Sequence, residues 1–186
     1  CMDANDLDPG FLRKVRNFKI RGSSGKLNIA LDGLPDFVAL RGNRELMYTD
    51  MHLIDSMERL ERAYDDWKNG IWSQDPYIDM LIPSMTDPTM TPPGKHFMSV
   101  FVQYVPPFIN GREWTDEDRE GFKNTVLDQI GRYSPNFKSL VRHVECRTPR
   151  DQAAFLVIQG LRGPAPSQPL PAGPPRRRGR GLPSRA

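Results

Sequence analysis

Two cysteines, Cys1 and Cys146, and three histidines, His52, His96 and His143, are all the thiol and imidazole groups that the 186 residues carry. With no CxxC pair and no zinc-ligand spacing, a disulfide scaffold and a zinc finger are both excluded. No apolar stretch approaches the roughly 18 uninterrupted residues that a membrane-spanning helix needs. No basic segment followed by an apolar core opens the chain, so nothing marks it for secretion and an intracellular protein is the expectation. A first residue Cys1 rather than Met suggests a fragment, with Met2 as the alternative start. The phosphate and dinucleotide fingerprints are missing as well. There is no GxGxxG, and Gly22-Ser-Ser-Gly25-Lys26 has two residues between its glycines where a phosphate loop needs four, with Leu27 in place of Ser or Thr after the lysine. A glycine-bearing turn entering a strand is the simpler reading of that segment. GxSxG and HExxH are absent, which leaves nucleophilic and zinc hydrolysis without support.

What is present is a composition of 38% hydrophobic and 26% charged residues, that of a water-soluble globular domain. The net charge of +3 is misleading, because it is set by the C-terminal end. Residues 161–186 hold six arginines, seven prolines, four glycines and no acid. Removing those arginines from the 26 basic residues leaves 20 against 23 acidic ones, a net of −3 for residues 1–160. The body therefore lacks the cationic footprint that phosphate neutralisation requires, and no nucleic-acid partner is expected. The tail buries too little apolar surface to offset its ordering entropy and is expected to be disordered. Two origins fit its makeup. Pro, Arg, Gly, Ala, Leu and Ser are what a GC-rich coding sequence yields when read out of frame; alternatively, Arg176, Arg177, Arg178 and Arg180 form a basic arm for an acidic partner, or Pro166 to Pro169 a PxxP ligand.

The pattern along the body predicts a short helix over 8–17, with Pro9 at its first position and Phe11, Leu12 and Val15 on one face. An extended segment over 18–31 follows, where Leu27, Ile29 and Leu31 alternate with Asn28 and Ala30 until Gly33 and Pro35 break it. Asp55 as N-cap, Glu58 three residues on, and Met57, Leu60, Tyr64 and Trp67 predict a second helix that ends at Gly70. A strand over 77–82, a proline-punctuated loop over 83–93 and an apolar strand over 97–105 come next, with Met98, Val100, Val102 and Tyr104 on its core face. Thr115 ahead of Asp116, Glu117 and Asp118 marks the start of a long helix whose inward stripe is Phe122, Val126 and Ile130. A strand over 140–146 completes the order αβαββαβ, and a weaker helical segment over 151–158 follows it. Strands near 80 and 100 joined by a loop alone suit antiparallel pairing, so the expected class is α+β: a mixed, largely antiparallel sheet layered with helices.

Few residues carry chemistry by type and spacing. His96, where the loop enters the apolar strand, titrates near neutrality and is a candidate acid or base; a strand-edge hydrogen bonder is the plainer role. Asp65, Asp66 and Asp116 to Asp118 read as solvated or capping groups. Tyr64, Trp67, Trp72, Tyr77, Phe97, Phe101 and Tyr104 suit a pocket for a flat or apolar ligand, although core is the stronger assignment.

The blocks Ile82-Pro-Ser-Met-Thr-Asp-Pro-Thr-Met-Thr-Pro-Pro-Gly-Lys-His96 and Phe97-Met-Ser-Val-Phe-Val-Gln-Tyr-Val-Pro106 resemble a signature of the phytoene desaturase-like flavoproteins. Arg21-Gly-Ser-Ser-Gly-Lys-Leu-Asn-Ile-Ala-Leu-Asp-Gly-Leu-Pro-Asp-Phe37 and Leu60-Glu-Arg-Ala-Tyr-Asp-Asp-Trp67 resemble the branch containing the pyridine nucleotide-disulphide oxidoreductase domain-containing proteins. The likeness runs from about residue 8 to residue 150. It implies a parent with an FAD-binding Rossmann-like domain and an inserted substrate domain of mixed sheet and helices, in which FAD accepts a hydride from an apolar small molecule such as a polyene. Residues 1–160 match the substrate domain. The glycine fingerprint and the closing flavin segment are missing, so this chain alone is expected neither to retain FAD nor to be active. No catalytic or flavin-contacting residue carries over; the substrate-pocket candidates are Thr86, Asp87, Pro92, Pro93, Gly94 and His96. Apolar surface left bare by the missing domain predicts self-association. The alternative is a stand-alone interaction module with a basic, proline-rich arm.

Overall fold

The computed structural model describes residues 3–18 and 23–158. The proposed tail, residues 161–186, lies outside them. Five strands form one sheet: β1 (Ser24–Leu31), β2 (Met51–Leu53), β3 (Tyr77–Leu81), β4 (His96–Gln103) and β5 (Val141–Arg147), in the order β2-β3-β4-β1-β5. All four pairings are antiparallel, and the α+β class is as the sequence pattern predicts. Among the described residues six α-helical segments accompany the sheet: α1 (Pro9–Arg16), α2 (Met57–Lys68), α3 (Pro83–Thr86), α4 (Asp116–Tyr133), α5 (Phe137–Leu140) and α6 (Pro149–Ile158).

Strand alternation divides the sheet into two unlike faces. Leu27, Ile29, Ile78, Met80, Met98, Val100 and Val102 point to one side and are buried there under Phe122, Val126 and Ile130 of α4. Burying one such side chain contributes about 1.5–3 kcal/mol, so this layer dominates the stability. Thr115 caps α4 by a reciprocal capping box with Asp118. Helix α2 is tied to the end of α4 through Arg59, whose guanidinium donates to the Tyr133 hydroxyl at 3.1 Å and pairs with Asp75 at 2.7 Å.

The structure corrects several local expectations. Ser56, not Asp55, caps α2, its hydroxyl accepting from Arg59 N and its backbone extended; the two neighbours are both good cap residues. Met57 is exposed, and Arg59 and Ala63 are the buried residues of that helix. Tyr104 does not continue the core face: β4 ends at Gln103, and Val105, whose N–H bonds to Ser23 O, takes the buried place. The stretch 83–93 is not simply loop, because Pro83 and Pro88 each start a short helical turn, α3 and a 3-10 turn over Pro88–Met90. A turn of helix, α5, precedes β5, which begins at Val141. The three-residue β2 has too short a pattern to be read from sequence. The apolar edge of α1 forms as expected, yet Phe11 and Val15 stay exposed.

Candidate functional site

Opposite α4, the second face of the sheet is bare: every side chain on it among the described residues retains solvent contact. The register sets out its rows. His52, Asp79, Phe101, Lys26 and Arg147 follow one another across the five strands, and Leu81, Ser99, Asn28 and Glu145 form the next row. Phe97, Ala30 and His143 lie beyond them, while Tyr77 and Gln103 lie on the other side.

The face is cross-linked by polar contacts. The Lys26 ammonium donates to Ser99 Oγ, and Asn28 Nδ2 donates to Glu145 Oε2 at 2.9 Å. Glu145 also accepts from Arg147 at 2.6 Å, and its carboxyl is held below the usual range first by Asn28 and then by Arg147. His52 Nδ1 meets the Tyr77 hydroxyl. Partial burial lowers the Lys26 pKa against the opposing pull of Asp79; burial and the nearby Asp79 and Asp50 raise that of Tyr77. Half-buried Phe97 and Phe101 stand between these groups.

Beyond Leu81 at the rim, the face runs into an open groove of about 540 Å³ lined by Tyr48, Leu81, Pro83, Thr86, Asp87 and Met90, among others. Of the loop residues singled out in the sequence, Thr86 and Asp87 therefore line this groove. Asp87 caps the next turn, accepting from Thr89 N at 3.0 Å and Thr89 Oγ1 at 2.6 Å, which lowers its pKa. Pro92, Pro93 and Gly94 do not line it. They make an exposed turn closed by Lys95 N to Pro92 O, with Gly94 at φ +76°.

His96 starts β4 and stands apart from the groove. Buried Ser84 accepts from Phe97 N at 3.1 Å, and its hydroxyl lies 3.1 Å from His96 Nδ1. Desolvation, and then the charge of Arg44, lowers the His96 pKa. A serine already engaged by a backbone N–H, beside an imidazole with a cation for a neighbour, is a clasp for the loop rather than an activated nucleophile. His96 thus bonds to the loop from the first residue of β4, the middle strand of the sheet.

The aromatic set divides. Tyr64 stacks on Trp67 and meets Tyr104 edge-on, while Trp72 joins Trp114 and Phe122. Only Tyr77, Phe97 and Phe101 reach the bare face. A second groove, of about 590 Å³, lies between α2 and the segments 71–75 and 109–112; its Arg59 and Arg112 are already paired with Asp75 and Asp118. No three metal-ligating side chains come together among the described residues, and no helix there is long and apolar enough to cross a membrane.

The described residues fit no dinucleotide cradle. Every described pairing is antiparallel, whereas that cradle needs a glycine-rich turn between parallel strands and a helix. Sequence reasoning missed Lys26, Ser99, Asn28 and Asp79. Alternation showed which residues point together, and only the tertiary structure shows that no described element buries them.

No family model matches the chain. It is similar to the Mus musculus protein named pyridine nucleotide-disulfide oxidoreductase domain-containing protein 2, at 33% identity over 164 residues, covering 83% of this chain and 28% of the relative. The Rattus norvegicus protein of the same name is 33% identical over 161 residues, with the same shares. The chain thus spans little more than a quarter of the length of the curated relatives it matches.

Proposed function

We propose that these residues are the substrate-facing part of an FAD-dependent oxidoreductase, and that the bare sheet face with its adjoining groove is one wall of the substrate cavity. The observation that carries the reading is that face. Among the described residues, the unit leaves one face of its sheet unburied, with aromatic rings, a half-buried lysine and cross-strand hydrogen bonds arranged on it. Such a surface suits a wall completed by another domain.

The relatives' name supports oxidoreductase chemistry, and their greater length supports a second part that closes the cavity. In this reading the substrate domain is residues 1–160, and FAD is held by residues outside the chain, since the described residues offer no cradle. The parent is of the phytoene desaturase-like type, its flavin accepting a hydride from an apolar molecule laid on Phe97, Phe101 and Leu81. Thr86 and Asp87 sit at the polar rim of the groove. The rival reading, an interaction module with a basic, proline-rich arm, rests on residues 161–186, which lie outside the described residues.

Flavin loading tests the assignment. Residues 23–158 are grafted in place of the matching segment of the mouse relative, and the visible flavin absorbance of the purified chimera is compared with that of the 186-residue chain. A flavin-loaded chimera beside a colourless chain is the expected result; stoichiometric flavin on the chain alone, or a folded chimera without flavin, overturns it.

A further inference from the structure

Lys26 occupies the middle of the bare face, and its surroundings specify more than an apolar ligand. Its ammonium is half-buried, and its hydrogen bond goes to the neutral hydroxyl of Ser99. Among the described residues no carboxylate lies within ion-pairing distance of it. Glu145, in the next row, is taken up by Asn28 and Arg147, and Asp79, two strands away with Phe101 between, acts on Lys26 through its charge without pairing with it. A partly desolvated cation whose direct hydrogen bond goes to a neutral hydroxyl gains from an anionic oxygen.

The apolar side chains define a direction away from it. Ser99 faces Leu81 across the β3–β4 pairing, and Leu81 opens into the groove with Met90 and Tyr48, both exposed. Phe97 and Phe101 flank Ser99 along β4. A cationic head site is therefore joined to an apolar track.

Resting on the reading above, we propose that the site takes an amphipathic carboxylate, its head on Lys26 and Ser99 and its tail over Leu81 towards Met90. This narrows the substrate class from a plain hydrocarbon to an acid-headed one.

The test uses the full 186-residue chain with laurate below its micellar concentration, followed by NMR of methyl-labelled lysines and of the Phe97 and Phe101 rings. Dodecyltrimethylammonium, with the same tail and a cationic head, is the comparison. The expected result is a Lys26 shift with laurate, binding about tenfold weaker for the cationic amphiphile, and a similar loss in Lys26→Gln, the scale of one charge-assisted hydrogen bond. Equal binding of the two amphiphiles with Lys26 unmoved overturns the head site and leaves the apolar wall standing. No perturbation of Phe97 or Phe101 by either overturns both. The head-group comparison on the unmodified chain decides the matter even if Lys26→Gln does not fold.

Discussion

A Cβ placed on residue 25 would lie 2.7 Å from Cζ and 2.9 Å from Cε1 of Phe122, so α4 can lie this close to β1 only because Gly25 has no side chain. The contact seats the helix layer on one face of the sheet, next to the strand position that turns Lys26 to the other.

Gly25→Ala is expected to destabilise the chain by about 1–3 kcal/mol through overpacking. Denaturant unfolding measures it, and Phe122→Leu in the same chain should recover part of the loss. Unchanged stability in Gly25→Ala would mean that the helix sits further from the sheet.

Opposite faces of β4 should respond in opposite ways to charge. Val100→Arg places a cation in the core and is expected to abolish cooperative unfolding, whereas Phe101→Arg adds one to the bare face and leaves a folded chain. Circular dichroism melts separate the two; equal damage from both would place Phe101 in a covered layer.

Asp118 accepts from Arg112 at 2.5 and 3.0 Å and from Thr115 N at 2.8 Å; first Arg112 and then the Thr115 amide hold its pKa far below the usual carboxylate value. Because the folded value lies below the unfolded one, this stability is complete above about pH 4 and is lost as pH falls towards the folded value. Asp118→Asn should cost about 1 kcal/mol at neutral pH and flatten the acid limb of the stability profile. A mutant profile parallel to the parent's would remove the carboxylate from the account.

His96 should titrate below the usual imidazole value of about 6.5, and Arg44→Gln should raise its midpoint. With the folded value depressed, the associated stability is present above the unfolded midpoint and declines as pH falls through that value towards the folded one. Imidazole NMR of the two proteins checks the shift, and a normal midpoint in the parent would refute the clasp's desolvation.

The long helix α4 was readable because Thr115, the acids after it and Phe122, Val126 and Ile130 all agree. Helix α2 was readable in extent, but Asp55 and Ser56 are adjacent cap residues that local chemistry does not separate. The loop residues were chosen as a block, yet only Thr86 and Asp87 reach the groove, because Pro83 and Pro88 coil the segment. Lys26 was in view beside Gly25 and passed over. Period-two alternation assigns it a side of the sheet, and whether that side is covered depends on contacts from distant residues.

The central claim, that the bare face is a wall closed by the rest of a longer oxidoreductase, is tested most directly by hydroxyl-radical footprinting of Phe97, Phe101 and Met90 in the 186-residue chain and in the chimera with the mouse relative. The account predicts strong labelling of all three in the chain and clear protection in the chimera. Equal labelling in both proteins would contradict it.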